Sequence, residues 1–257
     1  GSGETQAGAK SAWEQNEEVC KMKKPFVVCH MFTSMDGKID GAFMTDPAAV
    51  AARTEYGNLR GFYQCQATVY GTVTMAGGFA DGWAGQIPSS GASYPREDWV
   101  APSDVQNYIV SVDPLGKLGW SSAYIEKKGR LRAHVIEVLT EQVSEDYIAY
   151  LRGFGISYLF AGEKQLDCAL LLHKLQSLFG IEKVMLAGGY MNGSFLQEDL
   201  IDEVSLVIAP VVDGNTTSVT SFERSDFLPD RKPAAFRLLE AKPLEDGGLW
   251  LRYAQKK

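Results

Sequence analysis

At 257 residues, with 45% apolar and 22% charged residues, the chain is long enough for a sizeable core and has an ordinary globular composition. A formal net charge of −7 argues against a nucleic-acid surface, which wants clustered Lys and Arg. It leaves room for a phosphorylated small ligand, since one or two local cations and backbone N–H groups suffice for that.

The cysteines Cys20, Cys29, Cys65 and Cys168 stand far apart with no C-x-x-C pair, so neither a disulfide scaffold nor a zinc site is indicated. Cys29 and Cys65 read as buried thiols. No segment is apolar for long enough to span a bilayer, and a cytoplasmic location is the expectation.

Gly1-Ser2-Gly3 reads as a cloning remnant and the polar stretch up to Lys24 as an N-terminal arm, leaving residues 25–257 as one domain. Residues 26–32 form a continuous apolar run of strand length, the pattern of a central strand covered on both faces. The run stops at Thr33-Ser34-Met35-Asp36-Gly37-Lys38, where Asp-Gly marks a turn. A helix is predicted between Pro47 and Phe62, with Leu59, Phe62 and Tyr63 towards its inner face. A short strand at 67–70 ends in Gly71-Thr72-Val73-Thr74. From Ala76 to Ser103 the chain is rich in Gly, Ser and Pro and reads as a long loop, a specificity element and a candidate lid.

Residues 108–112 and 133–139 are further strands. Ser144 suits the N-cap of a helix that runs to Arg152 and breaks at Gly153 and Gly155, and 156–160 returns as a strand. Asp167 caps the clearest helix, with Leu170, Leu171, Leu175 and Leu178 on one face and Gly180 past its end. Strands follow at 183–186 and 204–209, and 236–240 pairs with 249–253 around Asp246-Gly247-Gly248. Strands alternating with helices, then a hairpin, predict a mostly parallel α/β sheet with an antiparallel edge.

In such a sheet, ligands bind outside the carboxyl ends of the strands. Three strand ends here carry unusual sequences. Gly188 and Gly189, after Ala187, either let a pyrophosphate approach the backbone beneath a helix opened by 192–195, or make a tight turn needing positive φ. Gly71 removes a side chain, and the Thr72 and Thr74 hydroxyls either bind phosphate oxygens or cap a helix. Asp36 either orients a substrate amine and relays a proton, which needs burial to raise its pKa, or bonds its own backbone in an Asp-Gly turn. His30 reads as a satisfied core residue or as a polar group that assists protonation, while His134 and His173 have no motif around them. Trp83, Trp99 and Tyr94 either stack on a ring or pin the long loop.

Together, "TSMDGKI" after the first strand, "ATVYGTVTM" after the second and "GGYMNGSFLQEDLIDEVSLVIAPVVDG" near the end resemble the riboflavin-pathway pyrimidine reductase domain, from Pro25 to Tyr253. The resemblance implies the dihydrofolate-reductase-like fold, a three-layer α/β/α arrangement, usually as a homodimer. It also implies NADPH, or alternatively NADH, as donor of a hydride to a small polarised substrate. Carried over by position, Ser34, Gly37, Gly71, Thr72, Thr74, Gly188, Gly189, Tyr190, Met191 and Asn192 would hold the cofactor. Met35, Asp36, Ala187 and Trp83 would face the substrate, and His30 or Asp36 would assist protonation. No metal ligand is implied.

The chain also departs from that family. Ala187 stands where a Glu usually precedes the paired glycines, His30 where a Lys is common, and no acidic residue occurs at Gly77 or Gly78. The H-x-E and P-C-x-x-C signature of a zinc deaminase is absent, as is the Pro-Trp of true dihydrofolate reductase. Losing a substrate-side carboxylate and cation while keeping the cofactor-side glycines suggests a changed substrate. Two other readings stand beside it. One is the biosynthetic reductase of a ribosylaminopyrimidine phosphate, with Arg53, Arg60 or Lys38 capturing phosphate. The other is a nucleotide-binding protein without turnover. Around Ser111 and Asp113, where a basic or hydroxyl group would select NADPH over NADH, the signals conflict.

Overall fold

The computed structural model describes residues 23–256, so the N-terminal arm before Lys23 lies outside the described residues. Strand β1 (Phe26–Thr33) is buried at every position but Phe26, as an apolar run in the middle of a sheet must be. Its neighbours are β7 (Lys183–Leu186) and β8 (Glu203–Ile208), both parallel to it. Beyond β7 lie β2 (Ala67–Gly71), β3 (Tyr108–Val112) and β5 (Ala133–Leu139), again parallel. The outer side of β5 is shared by β4 (Tyr124–Ile125), antiparallel, and β6 (Ser157–Phe160), parallel. At the other end β10 (Leu249–Gln255) and β9 (Phe236–Pro243) add the antiparallel hairpin. The order β4-β5-β3-β2-β7-β1-β8-β10-β9, with β6 also paired to β5, makes one ten-stranded sheet.

Alternate residues of the strands serve two apolar layers. Val27, Cys29, Val69, Val110 and Ile136 pack on α4 (Cys168–Phe179) and α5 (Gly189–Gln197). Ile109 and Val135 face α3 (Glu145–Phe154), while Phe32, Val207 and Trp250 face α1 (Val50–Leu59). The result is the expected three-layer α/β/α arrangement.

The local signals acted largely as read. The Ser144 hydroxyl accepts from Tyr147 N, the Asp167 carboxylate accepts from Leu170 N, and Gly155 and Gly180 close α3 and α4 in the left-handed conformation. Gly153 lies inside α3 and breaks nothing. The buried stripe of α4 is Cys168, Leu171, Leu172 and Leu175, whereas Leu178 lies at its margin, 37% exposed. Phe62 is exposed, edge-on to Tyr63 and Trp250, so it does not join the inner face expected of it.

A helix, α2 (Thr72–Gly78), occupies part of the segment read as loop, and its two terminal glycines obscured it. The long loop after it is strapped to the body at several points. Asp81 N and Ala84 N donate to Gly119 O and Lys117 O. Further along, Arg96 donates to Val143 O and Glu141 O, Asp98 pairs with Lys174, and Trp99 bridges Tyr158. Among the described residues no helix is long and apolar enough to cross a membrane.

Candidate active-site cleft

Strands β3, β2, β7 and β1 are consecutive in the sheet and parallel, so their carboxyl ends open on one edge. A cleft of about 790 Å³ lies there. Its floor is Gly71, Thr72 and Thr74 after β2 and Ala187, Gly188, Gly189, Tyr190 and Met191 after β7. Its far wall is α1, which contributes Arg53, Tyr56 and Gly57, and Arg60 just past its end, with Ile39, Asp40 and Val219 also in the lining. A second cavity of about 570 Å³ shares Thr72 and Met191 with the first and extends past the end of β3. Trp83, Lys117, Lys164 and Phe227 line it.

The paired glycines do different work. Neither has a positive φ, which removes the tight-turn reading. Gly188 is extended (φ −177°), and a Cβ there would meet open space in the cleft. At Gly189 a Cβ would lie 2.4 Å from Thr220 O, and at Gly193 it would overlap Glu223 O, so both glycines admit the neighbouring backbone. Helix α5 begins at Gly189, three residues before its expected opening, and no side chain caps it. Its first-turn N–H groups therefore lack intrahelical acceptors at the cleft floor, an arrangement suited to an anion. Asn192 is not part of that floor. It is fully buried behind it, donating Nδ2 to Ser221 O at 2.8 Å. Tyr190 is half-exposed over the cleft. Thr72 neither caps α2 nor offers its hydrogen to a ligand, because Oγ1 donates to Val112 O at 2.7 Å; Thr74 is exposed on the cleft side.

The turn after β1 is closed on itself, which corrects the expectation of a pocket there. Ser34 Oγ donates to Asp36 Oδ1 at 2.6 Å and accepts from Lys38 N at 2.9 Å. Asp36 also accepts from Asp213 N and Gly214 N, both at 2.9 Å. The Ser34 hydroxyl first, and then those two N–H groups, hold its carboxyl well below the usual carboxylate range. An acid that stays ionised cannot donate a proton at neutral pH, so Asp36 fastens one turn to another. Gly37 takes φ +79° to complete the turn, and Met35 is 64% exposed with its N–H on Val211 O. Ser34, Met35, Asp36 and Gly37 line neither cavity.

His30 is corrected as well. It is completely buried and stacks on Tyr56 with ring centroids 4.4 Å apart. Nε2 meets Tyr56 O at 2.9 Å, a carbonyl, so Nε2 carries the hydrogen. Nδ1 then accepts from Ser205 Oγ at 2.9 Å, and Ser205 in turn accepts from Trp250 Nε1. Every ring nitrogen is used, and burial lowers the pKa to about 4. It is a satisfied core histidine, uncharged at neutral pH and without access to a substrate. Ser111 and Asp113 are buried too, hydrogen-bonded into a cluster with Glu137 and Tyr147. Lys38 turns away, with Nζ on Ser218 O at 3.3 Å, and joins neither cavity.

Arg53, Tyr56, Gly57 and Arg60 recur at i, i+3, i+4 and i+7, the stripe of one helix face, and this spacing could have placed α1 beside the site. Arg53 donates to Met44 O at 2.8 Å, and the Arg60 guanidinium lies 5.6 Å from the Tyr56 ring centre. Neither forms an ion pair among the described residues. Among the described residues no cluster of metal-ligating side chains occurs.

A mostly parallel sheet with an antiparallel edge hairpin and a cleft on its carboxyl edge defines a protein of the dihydrofolate-reductase-like fold. The chain belongs to the family of the RibD C-terminal domain, whose family model matches residues 25–247.

A 2,5-diamino-6-ribosylamino-4(3H)-pyrimidinone 5′-phosphate reductase of Methanothermobacter thermautotrophicus is 36% identical over 83 residues, 32% of this chain and 38% of that protein. A pyrimidine reductase-like protein of Corynebacterium diphtheriae superposes with TM-score 0.60 at 15% identity, covering 91% of this chain and 92% of the other. The riboflavin biosynthesis reductase Rib7 of Saccharomyces cerevisiae gives 0.57 at 15% identity, covering 95% and 98%. RibD of Acinetobacter baumannii gives 0.56 at 20%, covering 91% of this chain but 58% of that one.

Proposed function

We propose that this protein is an NADPH-dependent reductase that transfers a hydride to a small, polarised, heterocyclic substrate, related to the riboflavin-pathway pyrimidine reductases. The observation that carries this reading is that the two cavities adjoin, sharing Thr72 and Met191 in their linings, with the uncapped start of α5 lining the larger one. A dinucleotide has two ring systems and a central pyrophosphate, and this arrangement offers two chambers with an anion-binding helix end between them. In the proposed pose, Gly188 and the first turn of α5 take the pyrophosphate. The adenosine end lies in the second cavity, where Trp83 and Phe227 are 57% and 60% exposed and free to stack. Lys117 and Lys164, exposed and without ion pairs among the described residues, are placed there to favour a 2′-phosphate and hence NADPH over NADH. The nicotinamide, when bound, supplies the hydride.

The larger cleft then takes the substrate. Arg53 and Arg60 favour one that carries an anionic group, which supports the reading as a phosphoribosylaminopyrimidine reductase proper. Ala187 puts no acid or base at the end of β7, and His30 and Asp36 have other tasks. The cleft lining does hold Asp40 and Tyr190, and the proton that follows the hydride comes from one of these or from water in the cleft. A homodimer, expected from the family, is part of the proposal. The edge strand β9 with exposed Leu238 and Leu239 is a suitable pairing surface, and sedimentation tests it.

Titration with NADPH and with NADH, followed by quenching of tryptophan fluorescence, tests the cofactor reading. Tighter binding of NADPH, with the preference narrowed in Lys117→Ala and Lys164→Ala, is expected. A folded protein that binds neither nucleotide overturns the reductase reading. With a phosphorylated pyrimidine substrate, Arg60→Ala raises KM by about tenfold or more while nucleotide affinity holds, as expected for a lost charged hydrogen bond. Nucleotide binding without turnover of any reducible substrate would instead favour a binding protein.

A further inference from the structure

Beneath the second cavity lies a polar cluster that the cofactor reading does not use. Glu137 on β5 is completely buried, beside Ser111 and Asp113 at the end of β3 and Tyr147 on α3, all buried to within 1%. Asp113 accepts from Lys117 N at 2.9 Å and from Leu118 N at 3.0 Å, which folds the 113–118 loop around its carboxylate. That loop supplies Asp113, Pro114, Leu115 and Lys117 to the cavity wall. At Gly116 the loop presses so closely on Tyr147 that a Cβ would stand 2.6 Å from its ring.

Counting hydrogens shows what holds this together. Tyr147 Oη lies 2.7 Å from Leu118 O, 3.1 Å from Asp113 Oδ2 and 3.5 Å from Glu137 Oε2, three acceptors for one hydroxyl hydrogen. The Ser111 hydrogen goes to Glu137 Oε1 at 2.5 Å. If both carboxyls were ionised, two buried negative charges would compete for the one Tyr147 hydrogen, and Glu137 would keep only the Ser111 hydrogen. From β6 the register neighbour is Tyr158, whose hydroxyl accepts from Arg152, and no cation forms an ion pair with Glu137 or Asp113 among the described residues. One extra proton resolves the shortage. Asp113 has backbone donors for its charge, so the proton sits on Glu137, whose carboxyl is raised well above its ordinary range by burial and then by the Asp113 charge.

We propose that Glu137 is a positioning residue for the nucleotide cleft: held uncharged, its carboxyl leaves the Tyr147 hydroxyl and the loop N–H groups to the Asp113 carboxylate, which fixes the 113–118 loop in the shape that receives the adenosine end of the cofactor. Raising the pH removes that proton to solvent. Two adjacent carboxylates then repel, the loop loosens, and nucleotide affinity falls. The proposal rests on the second cavity being the adenosine chamber, and the test has one arm that does not.

NADP+ affinity is measured by calorimetry from neutral to alkaline pH for the intact protein and for Glu137→Gln, which keeps a donor and cannot ionise. In the intact protein affinity falls with rising pH by about tenfold, the usual scale of coupling between linked groups. In Glu137→Gln it stays level. Equal falls in both proteins assign the effect to Lys117 and Lys164 and overturn the proposal. The independent arm follows the carboxyl carbons of uniformly 13C-labelled glutamate in the intact protein by NMR. One glutamate that remains protonated at neutral pH, and is absent from the Glu137→Gln spectrum, is expected. Ionisation of every glutamate by neutral pH overturns the proposal, even if no nucleotide binds and even if the variant does not fold.

Discussion

The turns after β1 and after β7 leave the same edge of the sheet from two strands that are hydrogen-bonded neighbours. They use their polar atoms in opposite ways. Ser34, Asp36 and Lys38 spend their donors and acceptors on one another and on the turn at 213–214. After β7, Gly188 faces empty space and α5 starts without a cap. Both sequences look chemically active. A binding site is the place where hydrogen-bonding capacity is left over, and only the second turn has any to spare.

The comparison can be broken most forcefully at the backbone contacts that hold the open turn in place. Gly193→Ala puts a methyl group into Glu223 O, and the loss is at least about 3 kcal/mol, the upper end for overpacking. Urea unfolding measures it. A stable Gly193→Ala would mean that the 219–223 segment moves freely, and the rigidity of the open turn would have to come from elsewhere.

Acid tests the closed side through His30, at the root of the same strand end. Its folded pKa of about 4 lies below the ordinary 6.5, so the unfolded chain binds the proton more readily. Stability is complete above about pH 6.5 and declines as the pH falls towards 4, by up to about 3 kcal/mol from this residue. In His30→Gln, compared by thermal unfolding across that window, this part of the acid limb is expected to vanish. An unchanged acid limb would show that His30 is already accessible to protons.

Gly188→Asp sharpens the contrast. The side chain has room, so the protein folds, but its charge lies where the pyrophosphate is proposed. Like-charge repulsion of a few kcal/mol weakens NADPH by about a hundredfold. Gly189→Asp would be the wrong probe, because it collides with Thr220 O and damages the fold. Unaltered binding by Gly188→Asp would move the phosphate away from α5.

The smallest effect belongs to the closed turn itself. Asp36→Asn leaves the pH profile of turnover unchanged at neutral pH, since Asp36 carries no proton there. A new ionisation appearing or disappearing in that profile would restore Asp36 to the chemistry.

Much of the fold was legible because its signals are local. The apolar run of β1, the Ser144 and Asp167 caps and the Gly155 and Gly180 stops each act within a few residues of chain. Two-residue β4 and the glycine-ended α2 were not, since short or glycine-bearing segments owe their form to what they pack against. The edge of the sheet that carries the cleft also followed from the parallel order of strands.

What each polar residue does there did not follow. Ser34, Asp36 and His30 were assigned chemistry by type, whereas their partners Asp213, Gly214, Ser205 and Tyr56 come from elsewhere in the chain. Of the three cations named from the sequence as phosphate contacts, Arg53 and Arg60 line the cleft and Lys38 does not, a distinction made by the packing of α1 and its C-terminal end beside β1. By itself, the sequence determined the longer elements, their order and the family. The tertiary structure alone decided which hydrogen-bonding groups were satisfied and which were left facing a cavity. Satisfaction is a property of pairs, and the pairs in this protein join residues as far as 189 positions apart.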